Sequence, residues 1–245
     1  MRAGDYLAAL RALPFGSLDA CIGREPFLVL SPHPDDESLG CGGLLLAAQA
    51  RALQGHVLIL TDGAGSHPNS PSFPPQRLTD LRREEARRAL DALGLPPNRL
   101  GFLDLPDTAT PSSGPAFDAA VEAILRRAAD IGARTLFVTW GRDPHCDHET
   151  AYAMAKAAAV QAGLRLWAYP VWGLHLSADQ EIADESPRGF RFDIAEHRAA
   201  KLRAIECYQS QMTRMIDDDP TAFCFTEAQL APFLGDTEIY IEVSP

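Results

Sequence analysis

The sequence predicts a single α/β domain built on a mostly parallel sheet with helices on both faces. Three observations carry this. Short apolar runs of strand length alternate with helical patterns from residue 27 to residue 163, which is the pattern of a parallel sheet with crossover helices. Two of the apolar runs, residues 27–30 (FLVL) and 134–139 (RTLFVT), lead directly into clusters of His and Asp, and in open α/β sheets the ligand site lies beyond the carboxyl ends of the strands. No internal repeat and no long linker divides residues 1–245.

Taken in order, residues 1–17 read as a short helix packed on the body. Asp5 and Arg11 interrupt its apolar residues, which does not suit a signal peptide. Residues 27–30 form the first strand, between Pro26 and Pro32, and enter a polar elbow of His33, Asp35, Asp36 and Glu37. A helix over 38–53 ends at Gly55, and residues 56–60 (HVLIL) form the second strand. Residues 66–76, rich in Pro and Ser, make an irregular loop able to cover the site. A charged amphipathic helix spans 79–93, a third strand 99–103, a loop 108–115, a helix 117–129 and a fourth strand 134–139. The cluster 140–148 follows, then a helix over 149–162 stopped by Gly163. Beyond it the rhythm weakens: strands over 166–171, 191–194 and 238–243, and a helix over 196–209.

Composition narrows the function. A net charge of −11 argues against a nucleic-acid or anionic-membrane surface, because such surfaces need clustered Lys and Arg. No apolar run reaches the roughly 20 residues of a membrane span. The five cysteines are scattered and include no CxxC pair. The expectation is a reducing cytoplasm and no disulfide framework.

The chemistry lies in the two clusters. His33 and Asp36 are three residues apart on the elbow and can turn toward one point, with His148 as a third metal ligand. Three protein ligands and an open position suit a catalytic zinc, whose bound water becomes a nucleophile near neutral pH. The same set suits Fe(II). Asp35, off the metal, is the candidate general base. His145 can stabilise an oxyanion or protonate a leaving amine, with Asp147 orienting its imidazole. One such cluster alone reads as a helix cap; two, each after a buried strand, read as a site.

Pro32-His33-Pro34-Asp35-Asp36-Glu37 and His145-Cys146-Asp147-His148 resemble the paired motifs of the PIG-L/LmbE-like metal-dependent N-deacetylases. Further matches are Thr61-Asp62-Gly63, the R-x-x-E helix over 82–94, residues 102–107 (FLDLPD) and Ser210-Gln211, so the resemblance spans about residues 26–215. It implies a Rossmann-like three-layer sandwich and a zinc hydrolase acting on an N-acetylglucosamine conjugate. It also implies His33, Asp36 and His148 as ligands, Asp35 as general base and His145 as oxyanion stabiliser or general acid. Arg82 and Asp107 map onto sugar-contacting positions, in competition with Arg83 and Asp104. Cys146 departs from the family's usual Pro and reads as a bystander. The alternatives are an amidase of a thiol-conjugate or antibiotic-precursor amide, and a sugar-binding protein without turnover.

Other polar residues carry weaker signals. His56 reads as a strand-edge residue, His67 as solvated, His197 as a solvent-facing helical residue and His175 as either a cleft-lining or a loop histidine. Residues 217–219 (DDD) read as a turn or cap, since they lack the spacing of a calcium loop. Gly40, Gly42 and Gly43 do not match a dinucleotide loop.

Overall fold

The computed structural model describes residues 1–182 and 186–244. Their centre is one seven-stranded sheet. The strands are β1 (Phe27–Ser31), β2 (Gly55–Thr61), β3 (Leu100–Leu105), β4 (Thr135–Thr139), β5 (Arg165–Tyr169), β6 (Gly189–Asp193) and β7 (Thr237–Val243). The helices that pack on it are α1 (Ala3–Arg11), α2 (Leu18–Ile22), α3 (Asp36–Ala50), α4 (Pro75–Ala92), α5 (Gly114–Ile131), α6 (Cys146–Ala162), α7 (Arg198–Glu206), α8 (Gln209–Met212) and α9 (Glu227–Leu230).

Strand order is β3-β2-β1-β4-β5-β7-β6. The first five strands are parallel, while β7 runs antiparallel to both β5 and β6. Every residue of β1 is buried, and its side chains alternate between two cores. Phe27 and Val29 join α3, α4 and α7 on one face, whereas Leu28 and Leu30 join α5 and α6 on the other. A strand buried on both faces reads as an unbroken apolar run, as this one does.

The chain moves outward from β1 through β2 to β3, then returns to place β4 on the other side of β1, in register Phe27↔Thr135 and Val29↔Phe137. The strand order therefore reverses between β1 and β4, where ligands bind in such sheets. Both His/Asp clusters leave the sheet at this point.

Several elements differ from the sequence expectation. Helix α6 starts at Cys146, within the second cluster, and α3 starts at Asp36. The expected helix over 196–209 is split: α7 ends at Glu206, and α8 begins after Tyr208, at φ −83° and ψ 59°. Two short helices carry caps that the apolar pattern does not reveal. Ser17 accepts the Ala20 amide before α2, and Thr226 with Gln229 forms a capping box on α9.

The glycines of α3 serve packing. A Cβ on Gly40 would lie 2.1 Å from the Tyr169 ring. From the other side β7 reaches into the same helix. The Glu238 carboxylate accepts the Gly43 and Leu44 amides at 2.7 and 2.9 Å, the Lys201 ammonium at 2.8 Å and the Tyr240 hydroxyl at 2.7 Å. Lys201 and Glu238 are both buried, and such a pair holds only when its remaining hydrogen bonds are met.

Candidate active site

The elbow after β1 is built by Glu37, not by an aspartate cap. Asp35 occupies the N-cap position of α3 at φ 143°, and its side chain makes no capping bond. Glu37 instead accepts the Asp35 amide and the hydroxyls of Ser38 and Tyr208. The strained backbone at Asp35 is thus held from behind, as strained residues at functional sites generally are, and its carboxyl group is left to face the cleft.

Three donor atoms converge beside it. His33 Nδ1 lies 3.3 Å from Asp36 Oδ2, His148 Nε2 lies 3.2 Å from the same oxygen, and the two nitrogens are 3.2 Å apart. A tetrahedral zinc with bonds of about 2.0–2.1 Å spaces its ligand atoms by about 3.3–3.4 Å. The donor set therefore fits such an ion in spacing and in chemistry. Charge agrees. Burial alone would lower the basicity of the His148 imidazole, but Asp36 and Asp143 raise its pKa to about 9. His33 is likewise raised against the burial effect, by Asp107, Asp147 and Asp36. Both shifts mark an excess of carboxylate charge around the two imidazoles, which a dication held there would offset.

Asp143 holds the third donor in place. Its carboxylate accepts His148 Nδ1–H at 3.0 Å, together with the amides of Val171, Trp172 and Gly173 at 2.9, 3.2 and 2.7 Å. A Cβ on Gly173 would lie 2.6 Å from Asp143 Oδ1, so only glycine admits this approach. One buried carboxylate thus orients a histidine after β4 and shapes the turn after β5.

Asp35 is buried against Arg82, whose Nη2 lies 3.3 Å from Asp35 Oδ2. Burial pushes the carboxyl up to about 8, while Arg82 pulls the other way. His145 is the N-cap of α6, its Nδ1 accepting the Asp147 amide at 3.3 Å. Burial, then the neighbouring His33 and His148, bring its pKa down to about 4.

The Asp147 carboxylate lies closer to His33 than to its expected partner His145: its Oδ2 is 3.9 Å from His145 Nδ1 and 3.1 Å from His33 Nε2. The amides of Thr108 and Thr110 draw this carboxylate toward the loop after β3, at 2.7 and 3.2 Å, and so bring it against His33. Asp107 Oδ1 is also 3.1 Å from His33 Nε2.

The competing pairs separate in space. Arg83 and Asp104 pair with each other away from the cleft, whereas the buried Arg82 and the half-buried Asp107 line it. Arg82 and Glu85 share a face of α4, which gives the R-x-x-E pattern its physical sense. Arg82 faces the elbow, and Glu85 accepts the Ser210 amide and hydroxyl at 2.8 and 2.6 Å.

The cleft has an empty volume of about 560 Å³ including its mouth, within the range of small-molecule sites. One side is polar, with Asp35, Arg82, Asp107 and Gln211. The other is an aromatic wall, in which Trp172 stacks on Phe225 with centroids 5.4 Å apart and Phe223 stands edge-on at 5.5 Å. Sequence reasoning missed this wall and the role of Asp143. The only local signals are an aspartate at a strand exit and the Phe-Cys-Phe alternation at 223–225.

His67 is buried with its Nδ1 bonded to the Ser66 hydroxyl at 3.0 Å, contrary to the solvated reading. His197 is half-buried rather than solvent-facing. His175 is exposed beside Trp172, outside the cleft lining. His56 is buried on β2, with its Nδ1 accepting from Arg127. Asp218 and Asp219 accept the amides of Ser72 and Asn69, both at 2.8 Å, and tie the 66–73 loop in place. The five cysteines are unpaired.

The family profile of the GlcNAc-PI de-N-acetylases, PIG-L, matches residues 28–159, which include both clusters. The chain belongs to this family. A relative, the 2'-N-acetylparomamine deacetylase of Streptomyces fradiae, is 30% identical over 81% of this chain and 77% of its own. Among solved structures, the N,N'-diacetylchitobiose deacetylase of Pyrococcus horikoshii superposes with a TM-score of 0.63 at 19% identity, covering 86% of this chain and 75% of that one. The 4-carboxy-2-hydroxymuconate hydratase of Pseudomonas putida superposes with 0.67 at 17%, covering 90% and 97%. At such identities the likeness is one of fold, and this fold also carries a hydratase. No helix among the described residues is long and apolar enough to cross a membrane.

Proposed function

We propose that the protein is a zinc-dependent hydrolase that removes an N-acetyl group from a small amino-sugar conjugate, yielding the free amine and acetate. The observation that carries this is the equilateral spacing of His33 Nδ1, Asp36 Oδ2 and His148 Nε2, with a separate buried carboxyl, Asp35, beside them. Those three residues would hold the ion. When bound, it supplies Lewis acidity, which acidifies water and polarises the amide carbonyl.

The remaining chemistry belongs to the chain. Asp35 accepts the proton of the attacking water and returns it to the leaving nitrogen. His145, which lines the same cleft, stabilises the oxygen on which charge develops. Arg82 holds Asp35 by its Nη2 and the elbow by Pro34 O at 2.8 Å. Asp107 is the candidate acceptor for a sugar hydroxyl. The aromatic wall suits the apolar face of the group carried by the sugar. The similarity to a deacetylase of an aminoglycoside precursor supports this substrate class.

The test is metal removal and restoration. Chelated protein is expected to lose free-amine release on a panel of N-acetylglucosamine conjugates and to regain it with one equivalent of zinc. Full activity in metal-free protein would overturn the reading. Trp172→Ala is expected to raise KM for conjugates about 10-fold, from the loss of one aromatic contact of roughly 1.4 kcal/mol. KM for N-acetylglucosamine itself should move far less, so equal changes in both would remove the aromatic wall from substrate binding.

A further inference from the structure

We propose that His145, Cys146 and Asp147 form a second, weaker cation site, selective for thiophilic divalent ions, and that filling it inhibits the enzyme. The inhibitory consequence rests on the deacetylase reading; the site does not. One donor atom from each of the three residues lies within 4.8 Å of the others. Cys146 Sγ is 3.8 Å from Asp147 Oδ1, and His145 Nδ1 is 3.9 Å from Asp147 Oδ2. An ion with a Zn–S bond of about 2.3 Å and Zn–N or Zn–O bonds of about 2.0 Å spaces its donors by about 3.3–3.6 Å. Closing to that spacing takes side-chain rotations that move donor atoms by up to about 1.5 Å, chiefly at the exposed Cys146.

One donor is already held by backbone: the Asp147 carboxylate is fixed by the Thr108 and Thr110 amides. His145 Nδ1 accepts the Asp147 amide, a bond that an ion on that nitrogen replaces. The third is exposed and free to turn. Among the described residues, the Cys146 thiol otherwise meets the Thr108 carbonyl at 3.6 Å and the Asp147 carboxylate. This donor set shares no residue with His33, Asp36 and His148, so both sites can fill together. Its thiolate favours zinc or cadmium over magnesium, calcium or manganese. Occupation withdraws His145 from the reacting carbonyl and Asp147 from His33.

The experiment loads the full-length protein with one equivalent of zinc and titrates cobalt(II), reading the near-ultraviolet thiolate-to-cobalt charge-transfer absorption. The band is expected to grow with the second equivalent in the wild type and in a Cys207→Ser, Cys224→Ser double variant, and to be absent in Cys146→Ser. On a confirmed substrate, with each protein normalised to its own uninhibited rate, Cys146→Ser should raise the half-inhibitory concentration of excess zinc at least about 10-fold. A wild type without the band, a band that persists in Cys146→Ser, or an unchanged inhibition curve would overturn the proposal. The spectral arm needs no turnover, so it stands or falls apart from the deacetylase reading.

Discussion

Replacing Asp35 with Asn is expected to lower kcat by about 10²–10⁴-fold, the range for loss of a general base, while the protein keeps its metal. The side chain is buried and nearly isosteric with asparagine, and asparagine is among the residues that best tolerate a positive φ. The contact from Arg82 can be kept by the amide oxygen. The proton acceptor is what disappears. The three converging donors belong to His33, Asp36 and His148, so metal content measured on the purified variant should equal that of the wild type. A variant that turns over at the wild-type rate would remove Asp35 from the base role, and one that loses metal would move it into the coordination shell.

Asp143→Ala is expected to be the most damaging substitution away from the reacting groups. It leaves the amides of Val171, Trp172 and Gly173 and the His148 Nδ1 without their acceptor, in a place where Asp143 and His148 are 0% exposed. Unsatisfied buried donors cost about 1–3 kcal/mol each before relaxation, so a net loss of about 3–5 kcal/mol is expected. For a chain of this size that is a Tm drop of roughly 10 °C. Metal affinity should fall about 10–100-fold, as it does when the partner of a ligating histidine is removed. Asp143→Asn, which retains one acceptor oxygen, should recover much of the stability and less of the affinity. Calorimetry and metal titration on both variants check the pair, and an unaltered Tm in Asp143→Ala would disprove the account.

The elbow and the fourth-strand cluster were legible because each is local. A strand, a break and ligand residues three apart can be read within a dozen positions. Their meeting was legible too, since a parallel sheet brings strand exits to one edge. The order of the last three strands was not, because nothing within residues 189–193 or 237–243 states which neighbour each will pair with. The same holds for Asp143, whose partners lie on a turn 28–30 residues away. Asp147 shows how local reasoning misleads. The histidine two residues before it was the obvious partner, yet the fold brings His33, 114 residues away, closer. The aromatic wall joins Trp172 to two residues more than fifty positions on, and no periodicity links them.

The insertion of Glu238 into the middle of α3 ties the elbow to a strand 195 positions further along the chain. α3 is rich in glycine and thus a poor helix on its own, yet its centre is held by that distant carboxylate, which also buries the Lys201 ammonium. Contacts of such sequence separation must close a long loop before they reward the chain, which slows folding. The helix that begins at Asp36 is therefore expected to mature late in refolding, after the local strand and helix pairs have formed.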